Sequence, residues 1–320
     1  MQAIVQTQYG SPEVLHLQEV EKPSPQEHEV LVKIHAAAAN PADWHMIRGK
    51  PFFIRFTAGF PKPKHPIPGF DFAGIIEAVG SGVTQFKPGD EVFGEVSNGA
   101  FADYVCATPD QIVLKPANVS FEQAAAAPMV GFTAIQGLRD TGRIQSGQKV
   151  LINGASGGIG TFAVQYAKSV GAQVTGVCST RNLDLVRSIG ADHVVDYTQD
   201  DFTKTTYDLI FDTVGNRSAA HYKRALNPNG RCVVAGFTTM PHMLFQIMVL
   251  GSLLSATGSR KIGGMGVARP NQQDLLLIKD LLEAGKVVPV IDKTYPLSQT
   301  AAAIRHLETG HARGKVIITM

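Results

Sequence analysis

Cysteine is scarce in this chain: among 320 residues there are three, Cys106, Cys178 and Cys232. They lie far apart and form no Cys-x-x-Cys pair, so the spacing of a structural zinc site is absent. A disulfide framework of the kind that stabilises small secreted domains is excluded for the same reason. The ten histidines are scattered without a metal-ligand spacing. We therefore expect no bound metal.

An excess of charge of either sign is also absent, because 29 Lys and Arg residues stand against 27 Asp and Glu residues. Without a basic run or arm, we expect no nucleic-acid partner. The longest apolar stretch, residues 243–256, contains Gln246 and Gly251 and is shorter than the ~20 residues that a bilayer core requires. We expect this stretch to be buried in the protein or at a subunit contact, and we expect no membrane partner. Residues 1–5 are typical of a strand and not of a secretory signal, which favours a cytoplasmic location.

A glycine-rich turn is the most informative motif that is present. Residues 153–160 read Asn-Gly-Ala-Ser-Gly-Gly-Ile-Gly and separate the apolar run 150–152 from a helical pattern at 161–170. Such a turn from strand to helix brings backbone amides and the positive end of the helix dipole to a pyrophosphate. The pattern predicts a dinucleotide site, with these residues in contact with the phosphates: Gly154, Ser156, Gly157, Gly158, Ile159 and Gly160.

The region around this turn alternates between β-branched strands and helical patterns. The pattern predicts strands at 150–152, 174–177, 193–195, 209–211 and 232–235, and helices at 162–169, 182–189 and 219–226. Such alternation is typical of a parallel sheet that is covered on both faces by helices.

The flanking regions have a different character. Short strands at 30–34, 74–79 and 91–93 alternate with turns, and prolines and glycines cluster at 50–69, which predicts a long surface loop. Helices at 274–284 and 301–309 and a strand at 314–319 close the chain. The predicted fold is α/β: a β-barrel-type domain, residues 1–125 plus 263–320, with an inserted dinucleotide-binding domain, residues 126–262.

The end of the second predicted strand bears on the choice of dinucleotide. Sites that prefer NAD place an acid there, about 20 residues beyond the first glycine, but residues 177–182 contain none. Ser179 and Thr180 can hydrogen-bond a 2′-phosphate, and Arg181 offers a planar pair of donors to phosphate oxygens. Alternatively, Arg181 is a solvated residue at the start of the following helix.

Four segments in this order resemble the medium-chain dehydrogenase/reductase superfamily: NPAD (40–43), PGFDFAG (68–74), KPGDEV (87–92) and the glycine turn. Within it, the chain is most similar to the zinc-independent quinone oxidoreductase branch. The resemblance implies a GroES-like N-terminal domain, a Rossmann domain, NADPH as hydride donor and often a homodimer. It also implies that Tyr197 contacts the 2′-phosphate, which favours NADPH. At the positions that bind zinc in zinc-dependent relatives, this chain has Asn40, Phe70 and Met129, which are not zinc ligands in that role.

The same resemblance suggests Asn40 and Thr133 as groups near the nicotinamide and its ribose, although a turn residue and a helix-start residue would suit these positions as well. Two acids nearby, Asp43 and Asp71, suit structural hydrogen bonding at least as well as catalysis. The expected function is reduction of quinones or α,β-unsaturated carbonyls by NADPH without a metal. The alternatives are an enoyl-thioester reductase and a non-catalytic NADPH-binding protein. Enoyl-thioester reductases of this family often carry a tyrosine shortly after the Asn-Pro segment. This chain has Trp44, Phe52 and Phe53 there instead, which suggest an aromatic-lined cleft.

Overall fold

The computed structural model describes residues 1–237, 239, 243–256 and 258–320. The strands are β1 Gln2–Val5, β2 His16–Glu19, β3 Val30–Ala39, β4 Asp71–Val79, β5 Glu91–Glu95, β6 Tyr104–Ala107, β7 Ile112–Leu114, β8 Lys149–Asn153, β9 Gln173–Cys178, β10 His193–Asp196, β11 Tyr207–Asp212, β12 Leu226–Val234, β13 Lys261–Gly264, β14 Ile291–Pro296 and β15 Lys315–Thr319. The α-helices are α1 Pro41–Arg48, α2 Ile54–Ala58, α3 Phe121–Ala125, α4 Pro128–Ile135, α5 Gly158–Ser169, α6 Leu183–Ser188, α7 Ala219–Ala225, α8 Ser252–Ala256, α9 Gln272–Glu283 and α10 Thr300–Glu308. Two π-helical segments are Gln136–Thr141 and Met243–Gly251.

The chain divides into two compact units. The first contains Met1–Met129, Pro270–Gly285 and Pro289–Met320, and the second contains Val130–Arg269 and Lys286–Val288. The junction that we predict after residue 262 falls inside β13, which belongs to the sheet of the second unit. This strand reads Lys-Ile-Gly-Gly, and because glycine is uncommon in strands, the sequence pattern does not indicate it.

The second unit is built on a parallel sheet with the order β10-β9-β8-β11-β12-β13. Numbered within the unit, this is the order 3-2-1-4-5-6, and ligands of such sheets bind beyond the carboxyl ends of the strands where the order reverses. Here that point lies between β8 and β11. The β8 residues Val150, Leu151 and Ile152 are fully buried, as expected for a strand with both faces covered. The predicted strands and helices of this region are confirmed.

The first unit contains a sheet with the order β14-β15-β3-β4-β5-β7, in which β6 also pairs with β3. Its pairings are antiparallel apart from β14 with β15. Side chains from several strands, including Ile34, Phe72, Val92 and Ile318, form one apolar core. The strand β15 at the end of the chain therefore pairs with β3 near its start, which brings distant residues together.

Residues 50–69 differ from their prediction, and residues 243–256 are largely not buried within the protein, which is one of the two placements predicted for them. Residues 50–69, predicted as a loop, contain the short helix α2, whose five residues are too few for a helical period to be recognised in the sequence. The stretch 243–256 is helical, and although Ile247 is buried, most of its large side chains are not. Leu244, Phe245, Met248 and Leu253 are 49%, 57%, 56% and 59% exposed.

Candidate active site

The glycine-rich turn joins β8 to α5 in the second unit. Gly154 has φ of 80°, and a Cβ at this position would lie 2.4 Å from Thr213 Oγ1. A Cβ on Gly160 would lie 2.0 Å from the Gly154 carbonyl oxygen, so this glycine lets the helix pack against the turn. A Cβ on Gly157 would have its nearest neighbour, the Gly154 carbonyl oxygen, at 3.5 Å, so there is space beside this residue. Because α5 begins at Gly158, the amides of its first turn have no acceptor within the helix and can bind an anion.

A buried amide connects this turn to the end of β9. Asn182 Nδ2 donates to Ser156 Oγ at 2.9 Å and to Ser179 Oγ at 3.3 Å. Asn182 is only 5% exposed, and its Oδ1 has no hydrogen-bond partner in the described part of the chain. An unpaired buried acceptor is costly unless a ligand completes it. Asn182 is thus a candidate cofactor contact that the sequence alone does not reveal.

The carboxyl ends of β9 and β10 bring together the residues predicted to bind a 2′-phosphate. Residues 179–181 follow β9 directly, and the Tyr197 amide, just after β10, donates to the Cys178 carbonyl at 3.0 Å. Thr180 Oγ1 donates to Asp196 Oδ2 at 2.5 Å, while Asp196 Oδ1 accepts from the amide and hydroxyl of Thr198. The hydrogen bond from Thr180 is the main cause that lowers the pKa of Asp196. An acid therefore lies here, but both of its oxygens are used to fix the turn that carries Tyr197.

A second buried network holds the opposite side of the turn in place. Asp212, at the end of β11, is fully buried and accepts four hydrogen bonds from neutral donors. Asn153 Nδ2 at 2.8 Å and the Tyr222 hydroxyl at 2.7 Å donate to Oδ2, and the amides of Val214 and Gly215, both at 2.7 Å, donate to Oδ1. Since Asn153 is the residue before Gly154, Asp212 fixes the start of the turn.

The first unit has a buried polar network around Asn40, which is 1% exposed. Asn40 Nδ2 donates to the Ala38 carbonyl at 3.1 Å and to Asp71 Oδ2 at 3.0 Å, so both of its hydrogens are used. Asn40 Oδ1 accepts from Lys315 Nζ at 2.5 Å, and the same ammonium donates to Asp71 Oδ2 at 3.3 Å. Asp71 Oδ1 accepts from the Met129 amide at 3.1 Å. Asn40 therefore orders neighbouring groups and has no amide hydrogen left for a substrate.

Two further acids complete this network, which we call the Asp71 cluster: Asn40, Asp43, Asp71, Glu95 and Lys315. Asp43 Oδ2 accepts from the Asn40 amide at 2.7 Å, and Glu95 lies opposite Asp71 in the β4–β5 register. Burial, with a contribution from the nearby Asp71, raises the pKa of Asp43 to about 8 and that of Glu95 to about 9. Burial also raises the pKa of Asp71, which the Lys315 ammonium opposes. These raised pKa values favour the neutral forms of Asp43 and Glu95 at neutral pH, whereas Asp71 is the carboxyl in direct contact with the Lys315 ammonium.

The donor set of the Asp71 cluster does not fit a catalytic zinc ion. The three positions that bind zinc in zinc-dependent relatives do meet here, since Asn40 and Met129 both bond to Asp71 and Phe70 precedes it. Their side chains are an amide, a thioether and a phenyl ring. The Lys315 ammonium already lies against Asp71 and would repel a second cation. Within the described residues, no group of three His, Cys, Asp or Glu side chains is arranged to hold a metal.

The predicted site residues are thus distributed over both units. The first unit contains Asn40, together with two fully buried acids, Asp43 in α1 and Asp71 at the start of β4. The second contains the glycine turn, residues 179–181, Tyr197 and the half-buried Thr133, which lies inside α4 and not at its start. The structure adds four residues that sequence motifs do not indicate: Glu95, Asn182, Asp212 and Lys315.

Comparisons with known proteins agree with this architecture. Residues 26–117 match the family described as alcohol dehydrogenase GroES-like domain, and residues 189–318 match the family described as zinc-binding dehydrogenase. The chain is 36% identical to the 2-methylene-furan-3-one reductase of Solanum lycopersicum and 34% identical to the chloroplastic NADPH-dependent alkenal/one oxidoreductase of Arabidopsis thaliana; each alignment covers 99% of this chain and 79% of the relative. Among solved structures, the quinone oxidoreductase of Coxiella burnetii superposes with a TM-score of 0.87 at 30% identity, covering 100% of this chain and 99% of that one. The predicted fold class is confirmed.

Proposed function

Because this chain belongs to the quinone oxidoreductase branch of the medium-chain dehydrogenase/reductase superfamily, we propose that it is an NADPH-dependent reductase of quinones or α,β-unsaturated carbonyls. The observation that carries this proposal is the Asp71 cluster. Where zinc-dependent relatives bind the metal that polarises an alcohol, an ammonium is held between Asn40 and Asp71. An acceptor that delocalises its own negative charge, such as a conjugated carbonyl, needs no metal.

We propose that the first unit acts on the substrate and that the second binds the cofactor. The pyrophosphate would bind at the glycine turn and the first amides of α5, through Gly154, Ser156, Gly157, Gly158, Ile159 and Gly160. The unpaired Asn182 Oδ1 beside Ser156 and Ser179 would accept a hydrogen bond from the cofactor. When bound, NADPH supplies the hydride, and the protein supplies orientation, which can contribute several kcal/mol.

The adenosine 2′-phosphate has a proposed set of donors at the ends of β9 and β10. Ser179 and Arg181 follow β9, and Tyr197, which is 52% exposed, follows β10. Thr180 has a different role in this proposal, since its hydroxyl donates to Asp196 and so stabilises the turn instead of donating to phosphate. We expect the cofactor preference to depend chiefly on the guanidinium of Arg181.

In the first unit, Asn40 is a positioning residue in this proposal. Its amide is fully engaged, so it acts by orienting the Lys315 ammonium and the Asp71 carboxylate. A fixed ammonium can stabilise negative charge that develops on a carbonyl oxygen during hydride transfer. Thr133 remains the candidate for a contact to the nicotinamide ribose.

The decisive experiment mixes the purified protein with NADPH and a panel of quinones, alkenals, enones and enoyl thioesters, and follows absorbance of the reduced nicotinamide. Turnover of quinones or enones, with slower turnover of thioesters, supports the proposal. Turnover of thioesters alone would identify an enoyl-thioester reductase. Cofactor binding without turnover of any compound would indicate a binding protein.

The cofactor preference has its own test. Arg181→Ala should raise the Michaelis constant for NADPH about tenfold or more, as expected for the loss of a charge-assisted contact worth ~1.5–3 kcal/mol. The constant for NADH should change little, because NADH lacks the 2′-phosphate. Arg224→Ala is a matched control in the same unit. An unchanged Michaelis constant for NADPH would remove Arg181 from the site.

We also propose that the chain forms a homodimer through the apolar stretch 243–256, which contains no charged residue and exposes Leu244, Phe245 and Leu253. Exposed apolar patches of this kind are typical of subunit interfaces. Light scattering should give a dimer, and Phe245→Glu should shift it towards the monomer. A monomeric wild-type protein would contradict this.

We propose a cytoplasmic location on the basis of the free cysteines. Cys106, Cys178 and Cys232 form no disulfide, which suits a reducing compartment. Cell fractionation tests this, and recovery from an organelle would contradict it.

A further inference from the structure

Four phenylalanine side chains in and around α2 are exposed to solvent. Phe52 and Phe53 are 56% exposed, Phe56 is 74% exposed and Phe60 is 66% exposed. Three of the rings form one patch, because the Phe52 ring lies 5.8 Å from the Phe56 ring and 6.3 Å from the Phe60 ring, centroid to centroid, and Phe53 adjoins Phe52 in the chain. Single exposed apolar side chains are common on proteins, but a cluster of aromatic rings indicates an interaction surface.

The charged side chains in the segment that carries these rings are all basic. Lys50, Lys62 and Lys64 are exposed, and residues 44–70 contain no Asp or Glu. Within the described residues, none of the three lysines forms an ion pair. Arg55 lies with its guanidinium over the Tyr9 ring, 4.6 Å from the centroid, and over the Phe52 ring at 5.4 Å. We call these lysines and phenylalanines together the basic aromatic surface.

The basic aromatic surface differs in charge from the other exposed apolar segment, residues 243–256, and this difference bears on the kind of partner that each can bind. Residues 243–256 carry no charge, which suits a contact between two protein surfaces. The basic aromatic surface instead combines rings that can enter an acyl and headgroup boundary with lysines that can reach phosphates, and it lacks acids that such a surface would repel.

We propose that the basic aromatic surface docks the protein on the surface of an anionic lipid bilayer. The phenyl rings would insert at the headgroup level, and Lys50, Lys62 and Lys64 would pair with lipid phosphates and carboxylates. This is attachment and not spanning, and no helix in the described part of the chain is long and apolar enough to cross a membrane. The proposal differs from the expectation that no membrane is a partner, because that expectation considered only long apolar runs.

Flotation of the full chain with vesicles tests the proposal. One set of vesicles contains phosphatidylcholine alone, and the other contains equal parts of phosphatidylcholine and phosphatidylserine. We expect binding to the second set only, with release near 1 M salt, where the screening length falls to about 3 Å. Lys62→Gln/Lys64→Gln should weaken partitioning roughly 25-fold at low salt, since each lysine near such a surface contributes about fivefold. Phe53→Ser/Phe56→Ser should weaken it as well.

The matched control is Lys149→Gln/Lys286→Gln, which removes the same charge from exposed positions of the second unit and should leave partitioning almost unchanged. Equal weakening by both lysine pairs would mean that net charge alone is responsible, and this would overturn the proposal. So would an absence of binding by the wild-type chain. If the phenylalanine variant changes only the Michaelis constant for a water-soluble quinone, the rings serve substrate binding instead; if it changes the oligomeric state, they contact protein. Vesicle binding is measured without turnover, so its outcome is independent of the proposed reaction.

Discussion

Each unit contains a fully buried aspartate that organises the polar groups around it, but the two are compensated in different ways. Asp212 accepts hydrogen bonds from four neutral donors: an amide side chain, a hydroxyl and two backbone amides. Asp71 accepts from an amide side chain, a backbone amide and the Lys315 ammonium, and it has two more buried acids nearby. The first arrangement distributes a charge over fixed dipoles, whereas the second depends on one cation and on protons.

This difference suggests different roles. The Asp212 network fixes the start of the glycine turn, and its neutral donors suit a rigid support for a phosphate site. In the Asp71 cluster, a change in the protonation of one acid alters the field at Lys315 and Asn40. The comparison predicts that disturbing the cation of the Asp71 cluster will cost more than removing any single neutral donor of Asp212.

The largest effect is expected from Lys315→Met. This substitution leaves Asp71 buried without its counter-charge and should lower the free energy of unfolding by about 3–5 kcal/mol, measured by urea titration at pH 7. Lys315→Met/Asp71→Asn is the matched control. It removes both charges and should recover most of the loss. A loss below about 1 kcal/mol for the single variant would mean that Asp71 does not carry the charge.

The next effect is a dependence on pH. Because the pKa of Glu95 is raised from 4.5 to about 9, the folded chain holds a proton that the unfolded chain releases between these values. Stability must therefore fall as pH rises through this window. Glu95→Gln lacks this proton, so its stability relative to the wild-type protein should rise by up to about 2.7 kcal/mol between pH 5 and pH 7. Urea midpoints at both pH values give the difference, and a constant difference would place the pKa of Glu95 outside the window.

Tyr222→Phe tests the neutral network and should have a smaller effect. It removes one of four donors to Asp212 and leaves the other three in place. A hydrogen bond to a charged group contributes about 2 kcal/mol, so the free energy of unfolding should fall by about that amount. A loss as large as that from Lys315→Met would show that neutral donors cannot replace one another, and the proposed contrast between the networks would fail.

The glycine turn and the parallel strands around it could be predicted from the sequence because their signals are local. A strand, three spaced glycines and a helix adjoin one another, and each predicts the next. The Asp71 cluster has no local signal, since Lys315 lies 275 residues from Asn40 and 244 residues from Asp71. It exists because β15 pairs with β3, and Glu95 joins it through the β4–β5 register. Motifs therefore indicated Asn40 and Asp71 but not the cation that contacts both of them.

Asp43 provides the smallest and most selective test of the contrast. With a pKa of about 8, its carboxyl is mainly neutral at pH 7, so Asp43→Asn exchanges one neutral group for another of nearly the same shape. The new amide keeps an oxygen for the Asn40 amide, which now donates at 2.7 Å, and the cost should be below about 1 kcal/mol at pH 7. Urea titration at pH 7 measures this cost. A loss above about 2 kcal/mol would mean that Asp43 is ionised, and Asp71 would then not be the only carboxylate that Lys315 balances.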